Sequence, residues 1–272
     1  MPLNSSPSDY LMEDEEEAVR LDMKTDPEVV RNHARWAGIR PGMKVADLGC
    51  GSGKTTYCLN ELVQPNGETL GLDIAPQRID FARGKYRAGG LRFQTGDIRE
   101  NLDTLGRFDF IWVRFVLEYY RSQAFDIVRN VSRILKPGGI LCLIDLDYNC
   151  LSHDEIPPGL ESALHGIMNA LEATAGFDAY AGRKLYRYLY DLQMRQIEVR
   201  MDAHHLIYGP LKPSDAFNWQ KKIEVAARNS GYAFAEFDGG FDEFREQFRL
   251  FFSNPRRFTY TPVMVCRGIK LK

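Results

Sequence analysis

The sequence carries no surplus of charge: 35 basic residues stand against 37 acidic ones in 272, a formal net charge of −2. That balance removes the global electrostatic reason to expect nucleic acid or an anionic membrane as partner. No uninterrupted apolar run approaches the ~20 residues that span a bilayer. The beginning also lacks the basic-then-apolar layout of a secretion signal and carries Glu13-Asp14-Glu15-Glu16-Glu17 instead. Paired cysteines are missing as well. Cys50, Cys58, Cys142, Cys150 and Cys266 are odd in number and never spaced as CxxC. That excludes a zinc ribbon and argues against a disulfide framework, leaving free thiols in a reducing compartment. A soluble, cytoplasmic protein without a metal is expected, monomeric or homodimeric. The 44% hydrophobic and 12% aromatic content suffices for an ordinary core.

Short apolar strands and amphipathic helices alternate along the first half. A short helix is expected from about Glu15 to Lys24. Asp26-Pro27 then supplies a cap and a first-turn proline for a second helix that stops at Gly38. Strands follow at 45–48, 69–73, 91–95, 108–113 and 140–144, separated by helices at 55–62, 76–85 and 122–135. Strand–helix–strand units of this kind make crossovers, hence a mainly parallel sheet. After Asp147 the rhythm changes. Leu160, Leu164, Ile167, Met168 and Leu171 repeat at helical spacing, two further strands are predicted at 196–201 and 262–269, and two helical stretches (214–229 and 241–252) lie between them.

The stretch Asp47-Leu48-Gly49-Cys50-Gly51-Ser52-Gly53-Lys54-Thr55 admits rival readings. Gly-Lys-Thr ends a phosphate-binding P-loop, but such a loop needs glycine five residues before Gly53, where Leu48 stands. A GxGxxG dinucleotide turn opening at Gly49 needs Gly or Ala where Lys54 stands. What remains is strand, acidic residue, G-x-G-x-G, helix, second strand, acidic residue. Glycines let the backbone pass close beneath a ligand and take up positive φ. Asp73, at the tip of the second strand and 22 residues after Gly51, stands where a carboxylate can accept two ribose hydroxyls.

This pattern, "VADLGCGSG", resembles motif I of the class I S-adenosylmethionine-dependent methyltransferases. The resemblance extends over about 45–147, through "TGDI" at 95–98, "FDFIWVRFVLEYY" at 108–120 and "RILKPGGILCLID" at 133–145. It implies a Rossmann-like, seven-stranded, mostly parallel α/β sheet with helices on both faces. It implies S-adenosyl-L-methionine as cofactor, held by Asp47, Gly49, Cys50, Gly51, Asp73 and Ile74, with Asp97 and Ile98 at the adenine. Arg114, Phe115 and Val116 are implied to line the cofactor cleft. The sequence is similar, too, to a subgroup with an N-terminal Tyr…Glu…Arg-Leu helix, here Tyr10, Glu17 and Arg20-Leu21. In that subgroup the segment folds over the cofactor. Residues 1–38 are thus expected as a helical lid, and 39–272 as a methyltransferase domain with a helical insertion at about 205–257. A small-molecule acceptor is implied. A protein acceptor and a non-catalytic module that keeps the cofactor fold are the alternatives.

Methyl transfer from a sulfonium is an in-line displacement, and orienting donor and acceptor can supply roughly 7–11 kcal/mol. A base is required only for an acceptor that arrives protonated with a high pKa. Groups facing the acceptor are expected on the loops after the fourth and fifth strands: Glu118, Tyr119 and His153 as catalytic candidates, with Tyr120, Asp145, Asp147 and Tyr148 beside them. His204-His205 suggests a metal, but neighbours on a strand point to opposite faces and no second ligand set accompanies them. The Phe241–Phe252 stripe reads as core or lid packing. Arg183, Arg187 and Tyr186, Tyr188 and Tyr190 read as a solvated helix face or an anion site.

Overall fold

Seven strands order themselves as β3-β2-β1-β4-β5-β7-β6. They are β1 (Lys44–Leu48), β2 (Glu68–Asp73), β3 (Leu91–Thr95), β4 (Phe108–Arg114), β5 (Leu135–Leu146), β6 (Arg195–Tyr208) and β7 (Phe258–Ile269). The computed structural model describes residues 17–271. Strands β1 to β5 pair in parallel, as the crossover helices require, while β7 runs antiparallel between β5 and β6. The order reverses between β1 and β4. There the loops after the two strands diverge and open a crevice at their carboxyl ends, the usual ligand position in such sheets.

Helices cover both faces. On one, α2 (Pro27–Ala37) and α3 (Lys54–Val63) pack Val30, Ala34, Leu59 and Val63 against Val45, Phe110, Trp112 and Ile144. On the other, α5 (Ala124–Arg133) and α7 (Leu185–Asp191) bury Ile127, Val131, Leu185 and Leu189 against Ile111, Val113, Leu141 and Leu143. Side chains of β4 and β5 thus alternate between two apolar layers, which is why both strands read as continuous hydrophobic runs. Asp26 caps α2 by accepting from the Glu28 and Val29 amides, and Gly38 ends it at φ 97°. Helix α4 (Pro76–Lys85) follows β2 and packs on Phe93 of β3.

A third apolar cluster belongs to helices beyond the sheet's ends: α6 (Pro158–Ala175), α8 (Pro213–Ser230) and α9 (Gly240–Ser253). The phenylalanine stripe forms its heart: Phe244, Phe248 and Phe252 are buried, Phe248 and Phe252 pack on Trp219, and Phe244 packs on Phe248. Helices α8 and α9 lie between β6 and β7, and α6 joins them from between β5 and β6. Together they roof the crevice. The N-terminal segment divides: α1 (Glu17–Lys24) lies over the crevice, whereas α2 is part of the sheet's covering layer. Among the described residues no helix is long and apolar enough to cross a membrane.

Candidate active site

The loop after β1 shows why it is rich in glycine. Gly49, Gly51 and Gly53 have φ of 82°, 53° and 83°, a region that side chains resist. A Cβ on Gly49 would lie 2.3 Å from Val116 Cγ2, so the loops after β1 and β4 can meet only with glycine there. The Gly49 and Cys50 amides both donate to the Leu72 carbonyl, at 2.8 and 2.9 Å, which pins the turn to β2. Asp73 is oriented from below. Its carboxylate accepts the Gly51 amide at 2.8 Å and the Ala75 amide at 3.0 Å, and faces the cleft.

Lys54 resolves the P-loop question. Its Nζ donates to the main-chain carbonyl of Asp22 in α1 at 2.8 Å, tying that helix to the start of α3. Asp22 in turn receives Lys85 Nζ at 2.5 Å and a short hydrogen bond from the Tyr86 hydroxyl. Burial alone would raise the Asp22 pKa, but these bonds outweigh it and hold the carboxyl below its ordinary value. The clamp brings Leu21 against Gly51 and sets Arg20, Lys24 and Thr25 into the cleft wall.

Most of the predicted cofactor residues line this one cleft: Gly49, Cys50, Gly51, Asp73, Ile74, Asp97, Ile98, Arg114, Phe115 and Val116. Asp97 is forked by Arg99, with Nη2 to Oδ2 at 2.6 Å. Asp47 differs. It is 1% exposed, outside the lining, and accepts the Thr56 hydroxyl at 2.7 Å; burial pushes its carboxyl up to about 7. It braces the turn from beneath rather than facing a ligand. Tyr10 lies outside the described residues.

Beyond the glycine loop the cleft widens under the roof, where Glu118, Tyr119, Asn149, His204, His205, Trp219 and Lys222 converge. Glu118 is 3% exposed; Asn149 Nδ2 donates to its Oε2 at 2.9 Å, and Lys222 Nζ donates to Asn149 Oδ1 at 2.6 Å. Burial raises the Glu118 pKa, with Lys222 and Lys24 drawing it partly back. Asp145 sits behind, fully buried, accepting the Glu118 and Leu146 amides at 3.1 and 3.0 Å. Burial and the Glu118 charge push its pKa well above the ordinary carboxylate value, and its two amide bonds make it a brace for the loop.

His153 does not reach the cleft lining. Its ring nitrogens are taken by the Thr259 hydroxyl at 2.8 Å and the Cys150 carbonyl at 3.1 Å, and it packs against Trp219. Burial depresses it to about 4, so it is a neutral structural histidine under the roof and not the base expected from sequence. Asp147 is occupied by Arg183 at 2.9 Å, and that guanidinium also covers Tyr148. The anion site read around Arg183 and Tyr186 therefore closes on itself outside the cleft.

The histidine pair reverses another expectation. Pairing of β6 with β7 slips between Ala203↔Pro262 and His205↔Thr261, so two residues oppose one. Such a bulge breaks strand alternation, and both rings turn to the cleft with centroids 4.3 Å apart. Both are neutral: burial drives His204 far down and His205 to about 2. Among the described residues no group of three or more potential ligands is placed to hold a metal.

Sheet order, a glycine loop beside a carboxylate and a roofed cleft define a nucleoside-binding fold of the α/β kind. The chain belongs to the methyltransferase-domain family, whose pattern matches residues 39–193, and its fold and glycine loop are those of the class I S-adenosylmethionine-dependent group. It is 30% identical over 148 residues to a ubiquinone/menaquinone biosynthesis C-methyltransferase of Shewanella sediminis, covering 50% of this chain and 58% of that protein. The Shewanella oneidensis enzyme of the same name is 30% identical over 139 residues, covering 47% and 55%. The chain thus spans a little over half the length of these curated relatives. Among solved structures, coclaurine N-methyltransferase bound to N-methylheliamine and S-adenosylhomocysteine shares the fold at TM-score 0.53 and 14% identity, over 89% of this chain and 72% of that one. The YcgJ protein from Bacillus subtilis does so at TM-score 0.52 and 16% identity, over 91% and 100%.

The residues present fit the cofactor, since Gly49, Cys50 and Gly51 and the Asp73 carboxylate, oriented by the Gly51 amide, line the same cleft. Bound S-adenosylmethionine supplies an electrophilic methyl group on a sulfonium.

Proposed function

We propose that the chain transfers a methyl group to a small-molecule acceptor seated between the glycine loop and the roof. One observation carries this reading: the acceptor half of the cleft is walled by helices of the same chain. Met168 and Leu171 of α6, Trp219 and Lys222 of α8 and Lys24 of α1 surround it. Apolar enclosure with a few convergent polar groups suits a small ligand better than an inserted protein segment or nucleic acid. The name of the Shewanella relatives adds support for a ring-bearing, largely apolar acceptor.

In this proposal Gly49, Cys50, Gly51, Ile74, Ile98, Phe115 and Val116 shape the cofactor's bed. Asp73 holds the ribose, Asp97 the adenine amine, and Arg114 the amino-acid carboxylate. Arg114 suits that role because, among the described residues, it makes no ion pair and lies against Phe115 at 4.1 Å, its pKa pushed down to about 10 by burial. Glu118 accepts a proton from an acceptor that arrives protonated. Its burial-raised pKa brings it toward neutral pH, where a general base works best. Tyr119, its ring tilted against Phe177 at 5.7 Å, positions the acceptor.

The test is methyl incorporation from labelled donor, with a panel of small apolar acceptors set against whole-protein and RNA extracts. Label in the small-molecule fraction, lost in Glu118→Gln, is the expected result. Label confined to protein or RNA would overturn the reading.

A further inference from the structure

Cationic side chains outnumber anionic ones in the acceptor half of the cleft, and two of them are unassigned by the reading above. Lys24 closes α1 one turn beyond Leu21, past the glycine loop and toward the roof. Among the described residues it makes no hydrogen bond or ion pair, although it lines the cleft. Lys222 enters from α8 on the facing wall, with Asn149 as its hydrogen-bond partner and the Trp219 ring at 5.5 Å. The groups facing Lys24 are Arg20 on its own helix, Arg114 from β4, Glu118, His204 and His205 from β6, and Lys222. Both histidines are neutral, so one buried carboxylate confronts this set of cations. Desolvation first, then Lys222 and Arg20, pull the Lys24 ammonium down to about 7. Two lysines on facing walls with one carboxylate between them leave this part of the cleft short of negative charge.

We infer that the acceptor is an anion, an apolar or aromatic molecule whose single ionised oxygen group, carboxylate or phenolate, is held between Lys24 and Lys222 beneath Trp219. This rests on the small-molecule reading and names the acceptor's class. The sulfonium donor adds one more positive charge nearby, which strengthens the preference. Arg114, beside Val116 and hence beside Gly49, is left for the donor's own carboxylate, so the lysine pair is available to the acceptor. A bound anion must also restore the proton to Lys24. Binding above neutral pH is then accompanied by uptake of up to about one proton.

The experiment uses the full chain saturated with S-adenosylhomocysteine, and 2-naphthoate, 2-naphthol and 2-naphthamide as probes, read by calorimetry. Naphthoate is expected to bind at least about tenfold more tightly than the amide, as a charge-assisted contact implies. The difference in its binding heat between phosphate and Tris buffers at about pH 8 should report proton uptake. Lys24→Gln and Lys222→Gln should each shrink the naphthoate-to-amide ratio several-fold, and Lys24→Gln should abolish the proton uptake while leaving the melting temperature near that of the parent. Naphthol bound as its red-shifted phenolate, seen by absorbance, would mark phenolate as the natural group; naphthoate preference alone would mark carboxylate. Equal affinity for naphthoate and naphthamide would overturn the inference. So would a ratio unchanged in both variants with only S-adenosylhomocysteine binding weakened, because Lys24 would then serve the donor. Binding is read without turnover, so a failure here is distinguishable from a failure of the small-molecule reading.

Discussion

Asp47 and Asp73 stand at the ends of neighbouring strands, and their surroundings send them to different tasks. Asp47 is closed in by Thr56 and the turn above it, whereas Asp73 has its oxygens oriented by the Gly51 and Ala75 amides and open to the cleft. Asp73→Asn keeps the shape and one acceptor oxygen but loses the charge that strengthens bonds from sugar hydroxyls. A loss of about 3 kcal/mol is expected, roughly a hundredfold in the dissociation constant for S-adenosylmethionine. Calorimetric titration reads it directly, and an unchanged constant would remove Asp73 from ribose binding. Asp73 was legible in the sequence because its spacing from Gly51 is set by one crossover. His204 and His205 were not, since alternation along a strand assigns them to opposite faces until the bulge beside Pro262 is seen. Lys24 and Lys222 were equally hidden: nearly two hundred residues separate them, and only the folding of α8 over the crevice brings them to one space.

Among elements, α1 shows how a short helix can serve as a cover. Eight residues are too few to be stable as an isolated helix in water, so α1 depends on what it touches. The contacts are Asp22 to Lys85 and Tyr86, the Asp22 carbonyl to Lys54, and Leu21 over Gly51. Sequence pattern located this helix but not its latch, because Lys54 reads first as part of a phosphate loop. The roof was legible in part. Helical spacing revealed α6, α8 and α9, while the strand between them runs to Tyr208, further than the apolar pattern of 196–201 suggests. Asp22→Ala should leave the sheet domain folded, by unchanged far-ultraviolet dichroism, and release the helix from α4. Cofactor should then dissociate about five- to tenfold faster in stopped-flow displacement, the worth of one partly exposed charged contact. An unaltered dissociation rate would mean that α1 does not retain the cofactor.

Over the whole molecule, the site concentrates buried ionisable groups whose preferences oppose one another. Burial holds Asp47 at about 7, above the ordinary 3.8. The folded protein therefore keeps a proton there that the unfolded chain releases, and the associated stability is complete below about pH 4 and lost as pH rises through 7. Burial holds His33, His153, His204 and His205 below the ordinary 6.5, with His153 at about 4. Their contribution is complete above 6.5 and lost as pH falls through those lowered values. The two sets set limits on opposite sides, one favouring acid and the other neutrality. Asp47→Asn isolates the first, because its amide accepts the Thr56 hydroxyl at every pH and never ionises. The melting temperature of this variant minus that of the parent should grow from about pH 4 to 7 and level off above that, each pKa unit being worth about 1.4 kcal/mol and each such step about 2–4 °C in a chain of this size. A difference that stays flat across that range would show that Asp47 is ionised in the folded protein, and that the strand end beneath the glycine loop is less dry than its burial indicates.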